Sequence, residues 1–313
     1  MSTGLALIPL FFTDAITALS AASAPGVELV ADVAYLGEGR AEKLDIYQPA
    51  ARGTAPLRPA VVYFHGGGWV RGDKADPREQ NIGANLAAAG YVFVTVNYVL
   101  GAHAWPQNLQ DCKNAVRFIR QNAAKYGVDP ERIVAMGTSA GGHLALMAAY
   151  SDRPEFEPAA PYPGVSSRVC AVVDFYGMTN LLTRQQAAED GTPTGKLYDS
   201  HAPEVIGVSR AEGAAVWKLA SPVTYVAPGS PPTLIMHGLS DPTVNYGQAV
   251  ELANALRAKG VAHELVLLEG VGHMFDLESW DKKPLPFDIR PTLLAFLEKY
   301  TRAAAANSTR SKN

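Results

Sequence analysis

Cysteine is nearly missing from this sequence: 313 residues hold only Cys112 and Cys170. Two cysteines cannot form a disulfide framework in a chain of this length. Neither stands in a CxxC or beside metal-spaced histidines, so both are expected as buried, reduced thiols, and no metal or other cofactor is expected. A basic surplus is missing too. Lys plus Arg number 27 against 30 Asp plus Glu, a net charge of −3. That balance offers nothing to hold a phosphate backbone and excludes nucleic acid as an expected partner. No apolar run reaches the ~18–20 residues needed to cross a bilayer, so no membrane span is expected.

The N-terminus lacks the positive charge of an export signal. Residues 5–12 (LALIPLFF) are apolar, and Ala22-Ser23-Ala24 has the small side chains of a cleavage site. A signal peptide also needs a basic n-region, whereas the first basic residue is Arg40, Asp14 closely follows the apolar run, and Pro25 directly follows the site. Residues 8–22 are therefore read as an amphipathic helix packed on the domain. A cytoplasmic location is expected ahead of a secreted or periplasmic one.

What the sequence does have is apolar mass and alternation. Hydrophobic residues make up 48% and charged residues 18%, a mixture that can bury a sizeable core. Short runs rich in Val and Ile recur at 60–65 (AVVYFH), 91–98 (YVFVTVNY), 132–137 (RIVAMG), 169–176 (VCAVVDFY), 233–237 (TLIMH) and 263–268 (HELVLL). Runs without a polar face fit strands buried on both sides. Helical spacing lies between them, at 107–126 and 244–259, with Gly260 as a C-cap, and again at 289–302. The last residues, AAAANSTRSKN, are expected to fray. Residues 28–47 are expected to add antiparallel edge strands. The pattern predicts a mostly parallel central sheet with helices on both faces, in one domain spanning 1–313. Residues 177–230 break the rhythm with mixed, Pro- and Gly-containing sequence, and are expected to form a cap or lid over a pocket.

Two glycine-rich motifs carry the chemistry. Residues 137–141 read Gly-Thr-Ser-Ala-Gly, after one apolar run and before a helix-like one. A sharp strand-to-helix turn exposes its serine above the sheet, and it needs small neighbours to close; Ser139 is the candidate nucleophile. Residues 65–68 read His-Gly-Gly-Gly, followed by Trp69. Acyl transfer creates an oxyanion that backbone amides can meet, and the amides of Gly67, Gly68 and Ala140 are assigned that role. Neither a P-loop nor a dinucleotide fingerprint fits the spacing of these glycines. His65 is expected to hold the loop by packing and hydrogen bonding.

A serine near neutral pH needs a general base, and the base needs an orienting carboxylate. Among seven histidines, His273, in the loop after HELVLL, is the candidate base. His237 is a weaker rival, His143 is expected to pack inside the elbow helix, and His263 begins a strand. Asp241, just after TLIMH, is the candidate acid, although it also suits a turn before Pro242. Asp174, Glu269 and Asp276 are its rivals. Trp69, Tyr98, Phe175, Tyr176, Trp217 and Phe275 are aromatics that could shape a pocket; core packing is expected for most of them, while Trp69 and Phe275 adjoin the motifs and are expected as pocket walls.

HGGGW and GTSAGGH together resemble the α/β-hydrolase superfamily, and within it the hormone-sensitive-lipase-like and bacterial feruloyl- and acetyl-esterase-like carboxylesterases. VRGDK, DPERIVAMGTSAGGHLAL, ASPVTYV and HGLSDPTV extend the resemblance over about residues 27–300. It implies an α/β-hydrolase fold, a Ser139–His273–Asp241 triad, hydrolysis of a small-molecule carboxylic ester without cofactor, and a family in which homodimers are common. It also leaves open an arylformamidase or amidase, a lipase, and a non-catalytic receptor on the same fold.

Overall fold

A computed structural model of the chain describes residues 26–50, 56–158, 160–277, 279–280 and 283–310. The expected helix over 8–22 lies outside the described residues. Two strands open the fold, β1 (Val27–Ala34) and β2 (Lys43–Pro49), followed by β3 (Arg58–Phe64), α1 (Pro77–Ala88), β4 (Val92–Val96), α2 (Gln107–Gln121), α3 (Ala123–Tyr126), β5 (Val128–Thr138) and α4 (Ala140–Tyr150). Next come β6 (Ala171–Phe175), the short strands β7 (Gln185–Ala187) and β8 (Pro193–Leu197), α5 (Ala202–Ile206), α6 (Ala214–Leu219), β9 (Thr233–Gly238), α7 (Gly247–Ala258) and β10 (His263–Leu268). A two-residue ribbon, Ser279–Trp280 with Lys283–Pro284, precedes α8 (Arg290–Arg310).

Eight strands form one sheet in the order β1-β2-β4-β3-β5-β6-β9-β10. The pairs β1/β2 and β2/β4 are antiparallel and the rest are parallel. The apolar runs are continuous because both sheet faces are covered. In β3, Ala60, Val62 and Phe64 enter one core, and Val61 and Tyr63 enter the other. In β5, Ile133 and Ala135 face the first core, and Val134 and Met136 the second. That period of two is the pleat itself. Leu109, Cys112, Val116 and Ile119 of α2 pack in the first core; Ile82 and Leu86 of α1, with Leu293 and Phe296 of α8, pack in the second.

Three expectations change. The helix over 107–126 divides at Asn122, whose side-chain amide donates to the Phe118 carbonyl at 2.9 Å, a local bond that competes with helix continuation. The C-terminal helix runs past 302 to Arg310, through four alanines, the strongest helix formers. Strand β10 is half-buried rather than enclosed, because it is the sheet's last strand. Cys112 is buried and Cys170 half-buried, and both thiols are free.

Residues 177–230 hold the β7–β8 hairpin, α5 and α6. The stem of this segment is fastened to α7. Gln248 Oε1 accepts from the amides of Thr179 and Asn180 at 3.0 and 2.9 Å, and Thr179 Oγ1 donates to the Gln248 carbonyl at 2.8 Å. Its far side is closed by Ser221, whose hydroxyl accepts from the Leu181 amide at 2.9 Å and donates to the Trp217 carbonyl at 2.8 Å.

Candidate active site

Ser139 stands between β5 and α4 with φ 52° and ψ −118°. A side chain rarely holds a positive φ unless its surroundings force it. Here the surroundings are glycines in near contact with other backbone. A Cβ on Gly137 would sit 2.2 Å from the Gly141 carbonyl oxygen, and one on Gly141 would sit 1.9 Å from that of Phe64. The Ser139 amide donates to the Phe175 carbonyl at 2.8 Å, fixing the turn to β6. Ala140 is the first residue of α4, so its amide has no carbonyl partner within the helix.

His273 Nε2 lies 3.0 Å from Ser139 Oγ, and His273 Nδ1 lies 2.6 Å from Asp241 Oδ2. Asp241 serves two structures at once. Its Oδ1 accepts from the amides of Thr243 and Val244 at 2.8 and 2.9 Å, the turn that its sequence neighbours suggest. Its Oδ2 meets His273, and also His237 Nε2 at 3.3 Å. His237 Nε2 must carry a proton, because it also donates to the Val244 carbonyl at 2.7 Å. Burial alone would raise the Asp241 pKa; hydrogen bonds from His237 and His273 outweigh it and hold the carboxylate well below its usual range. The ionised acid keeps the proton of neutral His273 on Nδ1 and leaves Nε2 free to accept from Ser139.

Burial lowers the His273 pKa below 6.5, against the pull of Asp241. The imidazole is therefore neutral at pH 7. Its side chain is 9% exposed, and the Tyr176 ring packs edge-on against it at 4.6 Å between centroids. With His273 as the general base, which must be unprotonated to act, kcat/KM is expected to fall on the acid side with a midpoint below 6.5. A pH profile of kcat/KM checks this, and an acid limb centred above 6.5 would contradict it.

The His-Gly-Gly-Gly loop borders the serine. Gly67 and Gly68 have φ of 116° and 64°, values open to glycine but strained for other residues. A Cβ on Gly67 would sit 2.0 Å from the Arg71 carbonyl oxygen. His65 holds the loop. Its ring stacks on Tyr98 at 4.5 Å, its Nδ1 donates to the Gly66 carbonyl at 2.7 Å, and the Tyr98 hydroxyl donates to the His65 carbonyl at 2.7 Å. His143 is buried, with Nε2 donating to the Ala220 carbonyl at 2.7 Å and Trp69 Nε1 donating to its Nδ1 at 3.3 Å. His263 meets the Val261 carbonyl at 2.9 Å, away from the serine. The rival acid Asp174 lies beneath the elbow, where Oδ1 accepts from the Gly177 amide at 3.0 Å; burial pushes its pKa up to about 7.

A cavity of about 630 Å³ opens over Ser139 and His273, with Gly66, Gly67, Gly68 and Trp69 in its wall. Phe275, expected there, is fully buried beneath it, against Phe175 and Tyr176 at 5.4 and 4.6 Å. The chain around His273 turns Met274 and Asp276 to the cavity instead. Tyr176, one of the aromatics that the sequence left unplaced between pocket and core, lines the cavity as well as packing on His273. Its position just past the carboxyl end of β6, beside the nucleophile strand, was the available signal. Arg184, Tyr198, Ser200 and His201, all from the 177–230 segment, close the opposite wall. Among the described residues no group of His, Cys, Asp or Glu side chains could hold a metal ion, and no helix is long and apolar enough to cross a membrane.

The family model described as BD-FAE matches residues 44–256. Esterase LipQ of Mycobacterium tuberculosis (strain ATCC 25618 / H37Rv) is 30% identical over 249 residues, covering 79% of this chain and 57% of LipQ. Esterase LipC of the same strain is 32% identical over 246 residues, covering 77% and 59%. The chain thus spans little more than half the length of these curated relatives. Among solved structures, a truncated form of a carbohydrate esterase from gut microbiota superposes with a TM-score of 0.73 at 27% identity, covering 88% of this chain and 96% of that one. Thermogutta terrifontis esterase 2 with bound propionate superposes with a TM-score of 0.67 at 29% identity, covering 88% and 93%.

Proposed function

Because this chain belongs to the BD-FAE family and has the α/β-hydrolase fold, we propose that it is a serine carboxylesterase acting on small esters with short-acyl or aryl groups. The observation that carries the reading is the run of hydrogen-bonding distances from Ser139 Oγ through His273 to Asp241, 3.0 and 2.6 Å, at the floor of a cavity edged by Gly66–Gly68. Ser139 attacks the ester carbonyl while His273 takes its proton. The amides of Gly67, Gly68 and Ala140 receive the oxyanion, and His273 returns the proton to the leaving alcohol. Water then repeats the sequence on the acyl-enzyme. Asp241 stays ionised throughout and stabilises the imidazolium. His237, a rival base by sequence, instead steadies the acid from its far side.

Residues 177–230 act as the cap of this pocket. The cavity is of a size for a small ester, and its wall carries Arg, Asp, Glu, Ser and His side chains, which favours a polar substrate over a long alkyl chain. A structural relative has been solved with propionate and with butyrate bound, in keeping with a short acyl group. The test is a p-nitrophenyl ester series from acetate to palmitate. Turnover is expected to be fastest between acetate and hexanoate and to fall steeply beyond. Activity confined to the long chains would make it a lipase, and no turnover of any ester would overturn the esterase reading and turn attention to formamides.

A further inference from the structure

We propose that the cavity over Ser139 is made for an ester that carries a carboxylate, and that Arg184 receives that carboxylate. The proposal rests on the esterase reading and narrows its substrate class.

Arg184 lines the same cavity as Ser139 and His273, yet it is only 3% exposed. A guanidinium offers five N–H donors. Here Nη2 donates to the Thr243 carbonyl at 3.2 Å, while Nε is buried and has no partner. The Tyr198 ring lies over it, 5.0 Å from Cζ. No ion pair to Arg184 occurs among the described residues, because the acids around it are already committed. Asp241 is held by two histidines and two amides, and Asp199 pairs with Arg210. A buried arginine normally has a carboxylate partner, since burying an unpaired charge is costly. Desolvation outweighs the Coulombic pull of Tyr198, Asp241 and Asp199 and pushes this guanidinium down to about 10.

The other cavity cations are differently placed. Arg78 has the Glu79 carboxyl at 3.9 Å, and Arg71 is exposed at the rim. Arg184 is therefore the one buried cation of this wall that lacks an acidic partner among the described residues. A neutral hydroxyl could accept one of its hydrogen bonds but would bring no opposite charge into contact with it. A carboxylate does both, through the paired N–H groups of the guanidinium. The bond to Thr243, two residues past Asp241, puts this subsite on the acid side of Ser139, at the base of the cap hairpin, where the Arg184 carbonyl accepts from the Tyr198 amide.

The test compares two esters of near-equal shape in wild type and in Arg184→Gln. One is the mono-4-nitrophenyl ester of glutaric acid, and the other is 4-nitrophenyl 5-methylhexanoate, in which an isopropyl group replaces the carboxylate. The kcat/KM ratio, anionic over neutral, is expected to exceed tenfold in wild type and to drop at least tenfold in Arg184→Gln, with partial recovery in Arg184→Lys. Should Arg184→Gln fail to fold, inhibition of wild type decides: glutaric acid monoamide is expected to compete at least tenfold more strongly than glutaramide. A wild-type enzyme that hydrolyses both esters without preferring the anion, or a ratio unchanged in the variant, overturns the proposal and leaves the esterase reading standing. Failure to hydrolyse either ester while p-nitrophenyl acetate or butyrate is turned over overturns the proposal alone; failure on those as well overturns the esterase reading itself.

Discussion

Ser139→Ala is expected to lower kcat/KM for a p-nitrophenyl ester by ~10⁴–10⁶. The magnitude follows from the loss of the acyl-enzyme route. With Oγ gone, His273 can only activate water, and the glycine-loop amides can still stabilise an oxyanion, so some catalysis over the uncatalysed reaction remains. Stability should change little. The alanine keeps the Cβ, the positive φ is imposed by Gly137 and Gly141 on either side, and the Ser139 amide bond to Phe175 is untouched. Initial rates together with a thermal melt separate the two effects. An unchanged melting temperature with activity within tenfold of wild type would mean that the nucleophile lies elsewhere.

The largest effect on stability is expected from Gly141→Ala. The added methyl would sit 1.9 Å from the Phe64 carbonyl oxygen and 2.5 Å from that of His65. Both neighbours are backbone, at the end of β3 and the start of the His-Gly-Gly-Gly loop, so neither can turn aside as a flexible side chain would. Relief requires α4 to move away from β3, which opens the core and displaces Ser139 from His273. A loss of ~4 kcal/mol or more is expected, in the range reserved for severe steric conflict. Gly260→Ala is the control. It has φ 66°, but an added methyl there would meet nothing within 4 Å, so it bears only the left-handed backbone penalty of ~1–2 kcal/mol. Urea denaturation of both variants measures the difference. Equal midpoints would show that close packing of Gly141 on β3 does not hold the elbow.

The sheet was legible in the sequence because burial on two faces writes itself as unbroken apolar runs, and Gly260 marked a helix end by its left-handed conformation. The division at Asn122 depends on one side-chain bond to Phe118, which no apolar period records. That Ser139, Asp241 and His273 meet was legible because each lies in a loop at the carboxyl end of a strand, where chain order and turn chemistry constrain it. The cavity wall was not. Arg184, Tyr198, Ser200 and His201 have no shared spacing and meet Ser139 only through the fold of the 177–230 segment. Near His273 the sequence points to the right loop but the wrong neighbour. Which of Met274, Phe275 and Asp276 faces the cavity depends on a single positive φ, 67° at Met274, and local sequence does not dictate that angle. His237 misleads for another reason: a histidine at a strand end looks like a base until its proton is seen committed to the Val244 carbonyl.

The central claim is that Ser139 forms a covalent bond to the acyl group. It is tested most directly by treating the wild-type protein and Ser139→Ala with a fluorophosphonate, then measuring intact mass and mapping the modified peptide. A single adduct on Ser139, absent from the alanine variant, is the predicted result. An adduct on a different residue, or an unlabelled wild-type protein that still turns over esters, would contradict it.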